Sequence, residues 1–344
     1  MDITTETLEN GWIEYTLKND NGMQVKILNY GGIITEILVP DKDGKLENVV
    51  LSYDQMSDYE ENPFYLGAVI GRVAGRIANS SFILHGETIQ LPADENGHHL
   101  HGGTNGFHNH LWESTAIDTG SSVNVNLQQT RLASVDGYPG DLSLFVTYAL
   151  TNDNQLRILY EGLSTEDTVL SMTNHSYFNL SGNGKRLIHD HEVTMPASRI
   201  IELDAELLPT GNALDVTGTA FDFRDGQPLS TGIASEHPQN IIASNGYDHY
   251  FIFDDQTPVK VCEKESGRTM EIRTNQPGMV MYTGNGFPED TNFATDLQGP
   301  YSGVAFETQA PPASLQFPDD FPTVYLHGNR PYKKLTVFTF GVEA

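Results

Sequence analysis

Ser171-Met172-Thr173-Asn174-His175-Ser176-Tyr177-Phe178-Asn179-Leu180-Ser181-Gly182 sets the pattern for the whole chain. In a β-strand, successive side chains point to opposite faces. Thr173, His175, Tyr177 and Asn179 then share one face, and Met172, Phe178 and Leu180 lie mainly on the other. The apolar face belongs to a core. The other is a row of hydrogen-bonding groups centred on an imidazole, which implies either a ligand site or a satisfied core histidine.

Short alternating runs of the same kind recur at 12–17, 23–28, 33–39, 123–127, 142–150 and 156–160, and again at 249–253, 270–273, 280–283, 304–308 and 335–340. Turn-forming clusters at 19–22, 41–44 and 151–154 sit where hairpins need them. No long segment has a helical period, and residues 229–244 offer room for one short helix. The 32 Gly and 17 Pro punctuate the runs. This pattern predicts an all-β protein, a large antiparallel β-sandwich of extended, curved sheets with few short helices. No linker-like tract, charge block or repeat divides it, so one domain over residues 1–344 is expected.

Composition narrows the partners. The 344 residues include 46 acidic and 19 basic ones, a formal net charge of -27. Nucleic acid and anionic membranes both demand clustered Lys and Arg, so neither is an expected partner. A multiply phosphorylated substrate is disfavoured for the same reason. Cys262 is the single cysteine, which excludes an intrachain disulfide and suits a reducing compartment. The first residues, Met1-Asp2-Ile3-Thr4-Thr5-Glu6, have neither a basic nor an apolar signal region, and no apolar run approaches a membrane span. A soluble, cytoplasmic protein is expected.

Four further stretches carry chemistry. Gly67, Gly71 and Gly75 alternate with Arg72 and Arg76 without matching a phosphate-binding loop; an arginine here either forks onto a ligand's oxygens or pairs with a carboxylate. His98, His99, His101, His108 and His110 crowd one stretch, and His-x-His pairs at 99/101, 108/110 and 189/191 invite a metal. No carboxylate at a clear spacing completes such a set. The alternative is one histidine, held by Gly102-Gly103, hydrogen-bonded to a polar ligand. Asp248 stands at a strand mouth after Asn245-Gly246-Tyr247, where it either binds adjacent hydroxyls or closes a local turn. Glu307 lies midway along an apolar strand, sharing a face with Ala305 and Gln309. A carboxylate is costly to bury there unless it is hydrogen-bonded or functional, and partial desolvation would raise its pKa into the range of a general base.

Taken in order, Arg72-Val73-Ala74-Gly75-Arg76-Ile77, Leu100-His101-Gly102-Gly103, Asp136-Gly137-Tyr138-Pro139-Gly140, Thr173 to Leu180, Gly246-Tyr247-Asp248-His249, Tyr282-Thr283-Gly284-Asn285 and Phe306-Glu307-Thr308-Gln309 resemble the aldose 1-epimerase (galactose mutarotase) family over nearly the whole chain. The resemblance implies a β-supersandwich that interconverts the anomers of free hexoses with no metal and no organic cofactor. It implies Glu307 as catalytic base and His175 as catalytic acid. Arg76, His101 and Asp248 would hold the sugar hydroxyls and ring oxygen, with Tyr177 beside the acid. Reference pKa values of about 4.3 for Glu and about 6.5 for His already suit those opposite roles. Gly75 and Val280 stand where the family often has amide side chains, which leaves the preferred hexose open.

Three other functions compete. A hexose 6-phosphate epimerase needs another cation, for which Arg72 is the candidate. A non-catalytic sugar-binding protein would keep the fold without needing the acid and base. A cupin-like metalloprotein would use the His-x-His pairs. The sequence leaves the oligomeric state, monomer or homodimer, open.

Overall fold

Alternating apolar residues oblige strands to bury one face each. In the computed structural model, which describes residues 1–295 and 297–343, they assemble into sheets of five, nine and six strands, with several two-stranded ladders between them. The five-stranded sheet is a meander of Asp2–Thr7, Ile13–Lys18, Gln24–Leu28, Ile34–Pro40 and Leu46–Asn48. The expected turns at 19–22 and 41–44 join its strands into hairpins. The nine-stranded sheet is centred on Leu142–Thr151, Gln155–Ser164 and Pro331–Val342, whose long antiparallel registers run side by side. The large antiparallel sandwich expected from the sequence is the observed architecture.

The six-stranded sheet positions the site. Its members are β1 (Tyr177–Phe178), β2 (Arg199–Leu203), β3 (Pro209–Asp215), β4 (Asp248–Ile252), β5 (Gly278–Tyr282) and β6 (Val304–Thr308), in the spatial order β1-β6-β5-β4-β2-β3. One face supplies Phe178, Val304, Phe306, Met279, Met281 and Phe251 to the main core, where they meet side chains of the other two sheets. The opposite face is left for function.

The polar row at 171–182 is not one continuous strand. Thr173–Asn174 pairs with Val69–Ile70, and Tyr177–Phe178 pairs with Val304 and Ala305. The break between them has a local cause. Asn174 donates to the Gly67 carbonyl and accepts from the Ser176 N–H, an alternative to strand pairing that short amide side chains offer. Met172, Phe178 and Leu180 do enter the core as expected. Asn179 supports the chain by donating to the carbonyls of Arg186 and Ser302. The single helix expected over 229–244 is two short ones, Ser230–Ile233 and Pro238–Ile242, the second starting at a proline. Among the described residues no helix is long and apolar enough to cross a membrane.

Two buried arginines tie the layers. Arg72 clamps the 136–140 turn, reaching Asp136 at 2.8 and 3.3 Å and the carbonyls of Pro139 and Gly140 at 2.9 Å. Arg268, on the nine-stranded sheet, donates to the carbonyls of Val39, Lys45 and Leu180 and to Glu47 Oε2 at 3.0 Å. Burial alone would raise the Glu47 pKa, but hydrogen bonds from Lys185, Lys45 and Arg268 prevail and hold it at about 2.

Glu47→Gln removes the nearer carboxylate from the buried Arg268 guanidinium, leaving Asp41 at 3.9 Å. Removing one partner of a buried ion pair costs about 3–5 kcal/mol, so the variant should show that loss in urea unfolding at pH 7. The native carboxylate is more acidic than its unfolded value of 4.5. Its contribution is therefore complete above that pH and fades as pH falls towards 2. The gap between wild type and variant should narrow on acidification.

Candidate active site

The free face of the six-stranded sheet carries two rows. Cross-strand partners have side chains on the same side and within contact of each other. Tyr177 opposes Ala305, Ala305 opposes Tyr282, and Tyr282 opposes Asp248. In the second row Glu307 opposes Val280, and Val280 opposes Tyr250. The small Ala305 leaves space between the two tyrosines, whose ring centroids are 6.0 Å apart.

Loops complete the enclosure. His175 enters just before β1, anchored by its N–H to the Ala68 carbonyl and by its carbonyl to the Gly67 N–H. Arg76 lies in a short ladder with Leu100, and His101 follows directly. His101 and Gly102 both have left-handed φ, 55° and 90°. A Cβ on Gly102 would lie 1.8 Å from the Gly71 carbonyl oxygen, so only glycine allows this approach. The Gly102 constraint thus turns His101 towards the sheet.

Glu307, His175, Arg76, His101, Tyr177 and Asp248 all line one cavity of about 340 Å³, within the range of about 300–1,000 Å³ common for small-molecule sites. The six residues that the family resemblance assigns to the site are thus brought together there. Arg72, the candidate phosphate-binding cation, is not; it is spent on Asp136. Among the described residues Arg76 is the one Lys or Arg lining the cavity. Its fork is held by Glu95 at 2.8 and 3.1 Å, and its Nη1 is 3.6 Å from Asp248 Oδ2. Glu95 carries no signal in the sequence. Tyr65 and Tyr282 also line the cavity; alternation along 280–283 puts Tyr282 on the same face as Val280, whereas nothing in the sequence marks Tyr65.

His175 Nε2 and Glu307 Oε1 are 3.4 Å apart, with both side chains 4% exposed. Burial pushes the Glu307 pKa up to about 8, the Asp248 charge adding to it and Arg76 opposing. Burial pushes His175 down to about 4. Asp248 is raised to about 6, again by burial, with Arg76 resisting. The reference values thus do not survive desolvation. Between pH 4 and 8 the resting pair is neutral acid beside neutral imidazole, and it holds one transferable proton in all.

His101 is also held neutral, by burial first and then by the nearby His175 and Arg76. Its Nδ1 accepts the Gly75 N–H at 3.1 Å, so its own proton sits on Nε2. His101, His175 and Glu307 are spaced like a two-histidine, one-carboxylate metal set, with ligand atoms within 4.8 Å of one another. The His101 tautomer counts against ligation, because its Nε2 carries a hydrogen rather than a free lone pair. The His-x-His pairs do not converge. His99 bonds the Pro92 carbonyl, His110 that of Gly106, and His191 accepts the Leu180 N–H.

The sequence profile described as Aldose 1-epimerase matches residues 14–339. A galactose mutarotase of Rattus norvegicus is 36% identical over 335 residues, covering 96% of this chain and 94% of that protein. An aldose 1-epimerase of Haemophilus influenzae is 34% identical, covering 94% of each. The crystal structure of a galactose 1-epimerase from Lactobacillus acidophilus superposes with a TM-score of 0.89 at 31% identity, covering 100% of this chain and 99% of that one. With its sheets, its cavity and these relatives in agreement, the chain is an isomerase that belongs to the aldose 1-epimerase family.

Proposed function

We propose that the protein interconverts the α and β anomers of a free hexose such as galactose or glucose, with Glu307 taking the proton of the anomeric hydroxyl and His175 giving one to the ring oxygen. The observation that carries this reading is the buried pair itself. A carboxyl and an imidazole stand 3.4 Å apart, both almost wholly buried, in a cavity of small-molecule size.

The steps balance without another reactant. Glu307, ionised, accepts the proton from O1; that O–H pair becomes the second C1–O1 bond, C1–O5 breaks, and O5 takes the proton of the His175 imidazolium. The open aldehyde turns about C1–C2, and the reverse transfers close the ring on either face. Ring opening converts an ion pair into a neutral pair, the form that burial favours. The desolvated site therefore favours the charge-annihilating direction and leaves the proton count unchanged. His101 Nε2–H and Arg76 would stabilise negative charge developing on the oxygens, and Asp248, facing Arg76, would accept from sugar hydroxyls.

The neutral resting pair also favours a second reading with roles exchanged, His175 accepting from O1 and protonated Glu307 donating to O5. Both need one proton on the pair, so rate data alone do not separate them. A sugar complex does: the base lies within hydrogen-bond reach of O1 and the acid of O5. The phosphorylated alternative has lost its cation, since Arg72 is outside the cavity and Arg76 already faces two carboxylates.

Polarimetry on fresh α-galactose and α-glucose tests the function. Glu307→Gln should lower kcat by about 10²–10⁴, the worth of one positioned proton transfer; unchanged activity would refute the assignment. The kcat/KM profile should be bell-shaped, with limbs near pH 4, where His175 gains a second proton, and pH 8, where Glu307 loses the only one. A flat profile across that range contradicts the shared proton. Glucose 6-phosphate should be turned over at least about tenfold less efficiently than glucose, because a doubly charged group lacks a free cation and each tenfold is about 1.4 kcal/mol.

A further inference from the structure

Past β4 the cavity wall is made by the hairpin of β2 and β3, through Leu203, Leu207 and Pro209. The turn at 204–208 closes on itself. Asp204 N–H donates to the Leu208 carbonyl and Leu207 N–H to that of Asp204, while Asp204 Oδ1 accepts from the N–H groups of Glu206 and Leu208. Its base is clamped by the buried Gln239, which accepts from the Leu203 N–H at 2.8 Å and donates to the Leu203 carbonyl at 2.9 Å. His249 Nε2 meets the same Gln239 oxygen at 3.0 Å.

Beyond this clamp the turn reaches across to the segment that carries Glu95 and His98. Its polar link there, among the described residues, is Glu206 Oε2, 4.0 Å from His98 Nε2. His98 is 6% exposed. Its Nδ1 accepts the Asn79 N–H at 3.1 Å, so the neutral ring carries its proton on Nε2, and that nitrogen has no hydrogen-bond partner. A buried donor without an acceptor is expensive to maintain. A shift of about 1 Å would bring Glu206 to the usual N–H···O distance of about 2.7–3.2 Å. Leu207 has φ 59°, a left-handed backbone unusual for a branched side chain. The turn thus accepts strain at the residue that faces the cavity.

We propose that residues 204–208 are a lid over the sugar, with Leu207 limiting the size of aldose admitted and Glu206–His98 as its latch. The latch closes onto the segment in which Glu95 orients Arg76, so the lid and the arginine facing the sugar share one support. The inference rests on a hexose occupying the cavity.

Wild type, Glu206→Ala and Leu207→Gly are compared by polarimetry on glucose and on maltose, glucose carrying a second sugar. Glu206 is exposed, so its loss spares folding. Glycine at 207 suits the left-handed backbone, and circular dichroism verifies both variants. Glu206→Ala should raise KM for glucose about two- to fivefold with kcat within about twofold, as the loss of one partly exposed hydrogen bond warrants. Leu207→Gly should raise the ratio of kcat/KM for maltose over glucose about tenfold, the scale of a few removed methylenes. With wild type active, an unchanged KM in Glu206→Ala overturns the latch, and an unchanged ratio in Leu207→Gly overturns the lid. If wild type accelerates neither sugar, the proposed function fails, and the lid with it.

Discussion

Glu307 stands at the fourth position of a strand whose five residues are all buried, and the desolvation of its carboxyl group governs what surrounds it. A carboxylate out of water needs a partner or a proton. His175 stands 3.4 Å away and is equally dry, so each keeps the other from being a lone charge. The pair can exist as acid beside imidazole or as carboxylate beside imidazolium. Moving between those two states is the proton exchange that the proposed anomer interconversion uses.

Holding such a pair needs a stiff floor and a tightly packed rim. The floor is the six-stranded sheet, whose opposite face is locked into the main core by Phe178, Phe306 and their neighbours. The rim depends on close approaches that only particular residues permit. Gly102 passes the Gly71 carbonyl where no Cβ fits, and the Gly75 N–H donating to His101 Nδ1 leaves the His101 proton on Nε2. The charges that stabilise the scaffold are kept apart from those that serve the site. Arg72 is consumed by Asp136 and Arg268 by Glu47, leaving Arg76 to face the cavity. Arg76 itself is aimed by Glu95, so the one guanidinium lining the cavity among the described residues is neither free nor neutralised by a single contact.

Much of this arrangement is legible in the residues alone. Period-two alternation marks most of the central strands, including β4, β5 and β6 within a residue or two at each end. The turn clusters mark the hairpins. Glu307 stands out as a carboxylate among apolar neighbours, and the order of motifs picks out the remaining candidate site residues together. Alternation draws the strand at 171–182 too long, because it does not register Asn174 bonding its own backbone neighbourhood. Edge strands such as Glu113–Asp118, which is largely exposed, escape it because a solvated strand has no apolar period to detect.

Residue types and their spacing determined the all-β class, the candidate acid and base, and the family, because these depend on local pattern and on which functional groups are present. Tertiary structure decided that Arg72 is spent on Asp136, that Glu95 aims Arg76, and that burial moves Glu307 and His175 away from their solution pKa values. These are properties of contacts between residues far apart in the chain. Desolvation and charge–charge interactions depend on distance in space and on the water excluded, and neither quantity is written in the spacing of residues along a sequence.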